Sequence, residues 1–384
     1  MKTSRTRILT THVGSLPRGD TVLKFLENRE SRHAYDAGEF DRAIRQAVLD
    51  IVKRQADAGI DIVGDGETSK ISYATYVHDR LSGFSEEGAT EASQPHADLA
   101  PFPDLRQKMA KLTGARRFKR VACIGPITVQ SREGLTRDLA NLRAAVDAAR
   151  PAEAFLTAAS PGVVASFLPN RYYRTHEDYI AAIADAMREE YAAIVAAGFV
   201  LQIDCPDLAM SRHTAFQRLS ESEFLKRAAF HAEALNHALD GIAADRVRIH
   251  VCWGNYEGPH IHDIDLAKII KIVLGVRAQG IALEAANPRH AHEWAVWKDI
   301  PLPDDKMLLP GVIDTSTNYV EHPALVAERI VRFAGVVGRE RVIANTDCGF
   351  GTAAGHGKLD PEIVYLKLAS LVAGAALASK ELWS

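Results

Sequence analysis

The sequence has no surplus of charge of either sign. Its 46 lysines and arginines nearly balance its 49 aspartates and glutamates, which leaves a formal net charge of -3. No block of five like charges occurs along the chain. Proteins that bind nucleic acid or anionic membranes carry a basic patch. We therefore expect no nucleic-acid partner and no electrostatic membrane contact.

The sequence also lacks a long apolar run. The longest uncharged apolar stretches, 191–201 and 368–379, are shorter than the ~18–20 residues that a membrane span needs. The first residues include several basic ones, but no apolar segment of the length that a secretory signal requires. The sequence therefore predicts a cytoplasmic protein that is not embedded in a membrane.

Cysteine is scarce as well. The chain of 384 residues has four cysteines and no C-x-x-C pair. Four are too few for a disulfide scaffold in a chain of this length, and a reducing compartment keeps thiols free. The cysteines are therefore interpreted as free thiols or metal ligands; they are Cys123, Cys205, Cys252 and Cys348.

What the sequence does have is a regular alternation of short β-branched runs and long amphipathic segments, which indicates an α/β protein. Eight βα units predict a single (β/α)8 TIM-type barrel, although periodicity alone leaves open a doubly wound sheet. The predicted strands lie at 8–15, 61–67, 154–160, 200–204, 247–252, 281–285, 307–314 and 342–348, and the predicted helices at 40–58, 177–197, 222–239, 265–274, 323–335 and 361–378.

The connection between predicted strands 2 and 3 is unusually long. It runs from about 81 to 151, with a strand-like stretch at 120–128 and a polar run at 85–104. Loops of this length without their own structure are uncommon in compact domains. We interpret it as an insertion over the barrel mouth, so that residues 1–384 form a single catalytic barrel domain.

Polar and sulfur-bearing residues are concentrated where the later strands end. His250 and Cys252 are two apart and share a face, Glu284 ends the next strand, and Cys348 ends the last. Nitrogen, thiolate and carboxylate together are a suitable tetrahedral ligand set for Zn²⁺. The alternative is that the cysteines are small buried hydrophobes beside a core histidine.

Other strand ends suggest two further sites. Ser15, Glu67 and Asp204 could hold a cationic amino group, or they could serve as helix caps and loop pairs at the barrel rim. Two H-x-H pairs, His260 with His262 and His290 with His292, could form a second metal site or be solvated loop residues.

Six motifs, in chain order, resemble the catalytic carboxyl-terminal barrel of the cobalamin-independent methionine synthase family: HVGSLPR, GDGE, QIDCPDLA, HVCWGNY, ALEAANPRH and NTDCGFGT. The resemblance covers essentially the whole chain. It implies a zinc-dependent methyltransferase that methylates a zinc-activated thiol, homocysteine, to give methionine. Carried over residue by residue, it places zinc on His250, Cys252, Glu284 and Cys348, and homocysteine on Val13 to Ser15, Glu67 and Asp204.

The chain departs from the family where the methyl donor is handled. Cys205 replaces a glutamate associated with the pterin, DTSTN at 314–318 lacks the family's proton-donating histidine, and there is no room for the amino-terminal half of full-length members. We therefore expect Asp204 and Asp314, or a water held by Ser316, to take the catalytic roles. The methyl donor stays open, with a methyl-carrier protein as one possible partner.

Three alternatives use the same residues differently. They are a thiol alkyltransferase similar to epoxyalkane-coenzyme M transferase, a metal-free lyase similar to uroporphyrinogen decarboxylase, and a binding protein with a structural zinc. Metal analysis distinguishes the metal-free lyase from the other candidates. Thiol-dependent spectra of a cobalt-substituted protein distinguish an enzyme from a binding protein with a structural zinc.

Overall fold

The computed structural model describes residues 1–88, 96–112, 121–355 and 359–384, and every structural statement below concerns these residues. The predicted polar run at 85–104 and the strand-like stretch at 120–128 lie partly outside the described residues.

The core is a closed barrel of eight parallel strands in chain order. Each strand pairs with the next along the chain, and β1 pairs with β10. A parallel bridge between Thr11 and Ile62 joins β1 to β2 and closes the ring. The barrel strands are β1 (Leu9–Thr10), β2 (Ile62–Gly64), β5 (Glu153–Ala159), β6 (Val200–Asp204), β7 (Val247–Val251), β8 (Gly280–Leu283), β9 (Met307–Ile313) and β10 (Ile343–Thr346). The predicted (β/α)8 barrel is confirmed, and all eight predicted strands are present.

Helices surround the barrel, and the six predicted ones are present within a few residues of their expected bounds. Five others among the described residues were not predicted: Asp20–Glu30, Pro103–Leu112, Glu133–Ala149, Pro161–Phe167 and Val296–Asp299. The helices are α1 (Asp20–Glu30), α2 (Ala37–Asp57), α3 (Pro103–Leu112), α4 (Glu133–Ala149), α5 (Pro161–Phe167), α6 (His176–Ala196), α7 (Glu221–Ala238), α8 (Leu266–Leu274), α9 (Val296–Asp299), α10 (Pro323–Val337) and α11 (Pro361–Leu382).

The insertion between β2 and β5 contains a small antiparallel ribbon, β3 (Phe84–Ser85) with β4 (Ala122–Cys123), together with α3 and α4. Helix α4 packs against α2 and so joins the outer ring of helices. Another part reaches the carboxyl edge of the barrel, because the backbone N–H of Ala97 donates to the carbonyl of His213, beyond β6, at 2.9 Å. The segment at Ala97 therefore contributes to the barrel mouth.

Helix α11 is long and apolar enough, by length and composition, to cross a membrane. It is longer than the stretch 368–379 measured in the sequence, because it spans 22 residues. Val364, Leu368 and Leu371 are among its buried residues, and the helix packs against α10 and α2. This packing is that of an outer helix of the barrel.

A buried cation lies inside the barrel among apolar side chains. The guanidinium carbon of Arg248 lies 3.6 Å from the ring centroid of Phe155. Arg248 donates to Gln202 Oε1 at 2.8 Å and to Thr11 Oγ1 at 3.0 Å. Burial lowers the pKa of Arg248 to about 9, so it is still charged at neutral pH. This cation begins a polar chain that leads to the barrel mouth.

Helix α7 offers a direct test of how local sequence fixes the outer ring. Ser220 and Glu223 form a complete capping box, in which each side chain bonds the other residue's backbone N–H. Ser220→Ala should lower the free energy of unfolding by about 1 kcal/mol, measured by urea denaturation. The control is Ser222→Ala, two residues further along the same exposed turn, which removes no cap. Equal losses in both variants would contradict the capping role.

Candidate functional site

Three of the four predicted metal ligands meet at the carboxyl edge of the barrel. His250 is the last residue but one of β7, Cys252 directly follows β7, and Cys348 lies just beyond β10. One ligand atom from each of the three lies within 4.8 Å of the others, and all three residues are buried. The sequence separation of 96 residues between the cysteines is bridged by parallel strands that end at the same edge.

The donor set suits a zinc ion. The two sulfur atoms lie 3.8 Å apart, and two thiolates on one tetrahedral zinc, with bonds of about 2.3 Å, lie roughly 3.8 Å apart. The neighbouring sulfur of Cys348 and burial raise the pKa of Cys252 well above its usual range. A bound cation is what makes such a buried thiol ionise, so the residues present fit zinc.

Asp204 orients the histidine of this group. The Asp204 carboxylate lies 3.3 Å from His250 Nδ1 and accepts a hydrogen bond from Gln202 Nε2 at 3.0 Å. Burial alone lowers the pKa of His250, but the hydrogen bond to Asp204 and the charge of Cys252 raise it to about 9. Metal-binding histidines are commonly fixed by a carboxylate on their other nitrogen, and Asp204 takes this position beside Nδ1. His250 Nε2 lies 3.2 Å from the carbonyl of Asp347 and would have to exchange this contact for a metal ion.

Glu284, the fourth predicted ligand, does not point its oxygens into this group. Oε1 accepts from the backbone N–H of Trp253 at 2.7 Å, and Oε2 accepts from Asn287 Nδ2 at 2.8 Å. Burial and the charge of Cys252 raise the pKa of Glu284 well above its usual range. Glu284 therefore lies beside the cysteine pair with both oxygens engaged by protein donors.

The predicted amine-binding carboxylates, Glu67 and Asp204, interact through their charges. Burial and the charge of Asp204 raise the pKa of Glu67 to about 7. Glu67 Oε2 is buried and has no hydrogen-bond partner among the residues that the structure describes. An unpaired buried carboxylate oxygen is costly, so this position suits a cationic ligand.

A glycine makes room for that carboxylate. A Cβ on Gly14, whose φ is +152°, would lie 2.9 Å from Glu67 Oε1. The residues on either side are tied to the barrel: the Val13 N–H donates to Thr346 Oγ1 at 3.2 Å, and Ser15 Oγ accepts from the Gly351 N–H at 3.3 Å. The predicted Val13 to Ser15 turn thus lies between Glu67 and the segment that follows Cys348.

A cavity of about 460 Å³ opens next to Glu284. Its walls come from the segments after β7, β8 and β9, and they include Tyr256, His260, Asn287 and Asp314. The cavity is large enough for a small substrate group and is walled mainly by polar residues.

Asp314 stabilises the turn at the edge of this cavity. Oδ1 accepts from the Ser316 N–H and hydroxyl at 3.1 and 2.8 Å, and Oδ2 accepts from the Thr317 N–H and hydroxyl at 2.9 and 2.5 Å. To give a proton to a ligand, the carboxyl would have to break this turn. The catalytic role of Asp314 stays a prediction that its contacts do not favour.

Sequence reasoning missed several polar residues of the site. Burial and then the charges of Cys252, Cys348, Asp204 and Glu67 raise the pKa of Tyr73 well above its usual range, which places its hydroxyl near both groups. Gln202 and Arg248 lie two residues before Asp204 and His250, and strand alternation could have identified them. No sequence signal pointed to Tyr73, which lies in the segment after β2.

A family of known proteins matches most of this chain. The family model described as "Cobalamin-independent synthase, Catalytic domain" matches residues 8–96 and 127–362. The chain belongs to this family. The resemblance inferred from the six motifs is thereby confirmed.

Curated relatives extend over nearly the whole chain. The methionine synthase of Saccharolobus solfataricus is 26% identical over 97% of this chain and 95% of its own length. That of Thermococcus kodakarensis is 25% identical over 97% of this chain and 94% of its own length. These family members therefore span about the same length as this chain.

Solved structures share the fold. A B12-independent methionine synthase from a Shewanella species, in complex with selenomethionine, has a TM-score of 0.73 at 20% identity and covers 98% of this chain and 99% of its own. A Listeria monocytogenes protein described as a vitamin-B12 independent methionine synthase has a TM-score of 0.67 at 17% identity, with the same coverage. At these identities the likeness concerns the fold.

The raised pKa of Glu67 predicts a pH-dependent affinity for an amino-bearing thiol. A carboxyl group is charged above its pKa and neutral below it, so with a pKa of about 7 Glu67 should pair with an ammonium group at pH 8 and lose that charge at pH 6. In kcat/KM for homocysteine we expect an acidic limb that falls about tenfold per pH unit. Glu67→Gln should remove this limb and weaken homocysteine binding far more than binding of 3-mercaptopropionate, which has no amino group. Equal losses for the two thiols would contradict the assignment.

Proposed function

We propose that the protein is a methionine synthase that transfers a methyl group to the thiol of homocysteine with a zinc ion at its active site. The observation that carries this proposal is the convergence of His250, Cys252 and Cys348 within 4.8 Å, in a chain of the cobalamin-independent synthase family. Two carboxylates suited to an ammonium group, Glu67 and Asp204, lie at the same edge of the barrel.

His250, Cys252 and Cys348 would hold the zinc ion, with Glu284 as the fourth ligand. Zinc supplies a cationic position that keeps a substrate thiol ionised at neutral pH. For Glu284 to take part, one of its oxygens has to exchange the Trp253 N–H or the Asn287 amide for the metal. Asp204 holds the His250 ring in place through its 3.3 Å contact with Nδ1.

The amino-acid part of homocysteine is held on the other side of the mouth. The unpaired oxygen of Glu67 accepts from the ammonium group, and Asp204 adds a second negative charge nearby. The turn of Val13 to Ser15 positions Glu67 through the space left by Gly14. Fixing the substrate at both ends directs its sulfur toward the cavity and gives the orientation that a displacement reaction needs.

The reaction is an in-line displacement at the methyl carbon. The substrate sulfur forms a bond to that carbon, the bond from the methyl group to its carrier breaks, and the carrier takes the electron pair. The carrier atom then needs a proton if it is a poor leaving group. The cavity beside Glu284 is the space in which we place the methyl donor.

The cellular setting belongs to the same proposal. A cytoplasmic location gives the reducing conditions that the cysteine pair requires. The partners are homocysteine, a methyl donor and, for a donor that does not diffuse freely, a methyl-carrier protein.

The metal assignment predicts the behaviour of cysteine variants. Cys252→Ser and Cys348→Ser should each remove the metal of the cysteine centre and the methyl transfer, because each takes away one of two thiolate ligands. The measurement is the thiolate-to-cobalt absorption of the cobalt-substituted protein. Cys123→Ser is the matched control, since that cysteine lies in the β4 ribbon. Full absorption in Cys252→Ser or Cys348→Ser would disprove the assignment.

A second prediction concerns the donor. Loss of a methyl group from the tertiary amine of methyl-folate needs a proton, and general acid help is worth roughly 10²–10⁴-fold. The segment 314–318 has no histidine, and both oxygens of Asp314 already accept hydrogen bonds. Mono- and triglutamyl methyl-folate should therefore be slow donors, and a donor with a better leaving group should be preferred. Turnover of about 1 s⁻¹ or more with either folate would contradict this.

A further inference from the structure

A second group of buried histidines and carboxylates lies apart from the cysteine centre. It is assembled from the segments that follow β6, β7 and β8, with Asp263 in its middle. Asp263 Oδ2 lies 2.9 Å from His260 Nδ1 and 2.9 Å from His290 Nε2. Asp263 Oδ1 lies 3.2 Å from His213 Nδ1. One carboxylate is thus surrounded by three imidazole rings.

The outer nitrogens of two of these rings also face oxygen atoms. His260 Nε2 lies 3.0 Å from the carbonyl of Tyr256, and His290 Nδ1 lies 2.9 Å from Glu293 Oε2. A neutral imidazole has one N–H and one lone pair. If the N–H of each ring faces its outer oxygen, both lone pairs point at the Asp263 carboxylate. Two lone pairs and a carboxylate oxygen then converge, which is the ligand arrangement that a divalent cation requires.

The group is buried, so polar atoms in it that lack a partner cost free energy. The side chains of His213 and Asp263 are 0% and 1% exposed. Among the described residues, Asp263 Oδ1 and both ring nitrogens of His213 have no hydrogen-bond partner of acceptable geometry. Unsatisfied buried polar atoms cost stability, and here they are directed into the group itself.

We propose that His260, Asp263 and His290 bind a divalent transition-metal ion at a second site, next to His213. Two imidazoles and a carboxylate are ligands that Zn²⁺ and Co²⁺ accept. The three ligand atoms lie within 4.8 Å of one another. With bonds of about 2.1 Å to one ion, two ligand atoms lie roughly 3.4 Å from each other, so the contacts between Asp263 and the two rings have to lengthen.

Asp98 connects this site to the insertion. A second set of possible ligand atoms, from Asp98, His213 and Asp263, overlaps the first through the shared Asp263. Asp98 Oδ2 also accepts from the Tyr256 hydroxyl at 2.7 Å. An ion bound by His260, Asp263 and His290 would therefore be linked to the insertion through the hydrogen bond between Tyr256 and Asp98.

The site would control the shape of the cavity next to the cysteine centre. Tyr256 and His260 form part of the cavity wall. The His290 ring packs on Trp253 with 4.4 Å between ring centroids, and Trp253 follows Cys252 directly. A metal ion at this position would fix both the wall of the cavity and the residue beside the cysteine centre, without contacting substrate.

The test is a stoichiometric cobalt titration of the chelator-treated full chain. We expect two equivalents, of which one develops thiolate-to-cobalt absorption and the other only the weak visible bands of nitrogen and oxygen ligands. The double variant Cys252→Ser with Cys348→Ser should keep the second equivalent alone. Asp263→Asn should keep the thiolate absorption and lose the second equivalent.

The control variant is His262→Ala, because His262 lies in the same segment but its side chain is exposed. It should keep both equivalents. One equivalent in the wild type and none in the double cysteine variant would overturn the second site, whether or not Asp263→Asn folds. Absence of thiolate absorption would instead overturn the zinc assignment and leave the count for the second site unaffected.

Discussion

The position of His250 depends on a buried carboxylate that is held from inside the barrel. Asp204 accepts from Gln202, and Gln202 accepts in turn from Arg248 at 2.8 Å. A buried carboxylate is tolerated only where it is hydrogen-bonded or paired. Replacing one member of this chain with an apolar residue would leave the next one unpaired. The polar chain in an otherwise apolar barrel interior thus supports the histidine that we propose as a metal ligand.

The same carboxylate links the two halves of the proposed active site. Asp204 fixes His250 on one side, and its charge raises the pKa of Glu67 on the other. An ammonium group placed between the two carboxylates relieves their repulsion. Substrate binding is therefore expected to restore the charge of Glu67 and to leave Asp204 in contact with His250, so the amino-acid pocket and the metal centre are coupled through one side chain.

The sequence was sufficient to predict the barrel and the convergence of His250, Cys252 and Cys348, because parallel strands deliver their carboxyl ends to one edge whatever their separation in the chain. The sequence was not sufficient to predict the side-chain orientations and short helices of the segments between strands. The oxygens of Glu284 and Asp314 are directed by hydrogen bonds that depend on the folded loops, and α5 has only 7 residues, too few to show a helical period. Tyr73 was missed because three of its neighbours, Cys252, Cys348 and Asp204, come from distant segments of the chain.

The segment after β7 joins these observations, because it begins at one proposed metal site and ends at the other. Gly254 has a φ of +118°, and a Cβ there would lie 3.1 Å from the Tyr256 ring. Its N–H donates to Cys252 Sγ at 3.2 Å, which favours the thiolate form of that sulfur. The backbone at Gly254, which stabilises Cys252, therefore also sets the position of Tyr256. The carbonyl of Tyr256 in turn contacts His260. A change at either site can reach the other along these few residues, so we expect the histidine group to affect the cysteine centre without contacting it.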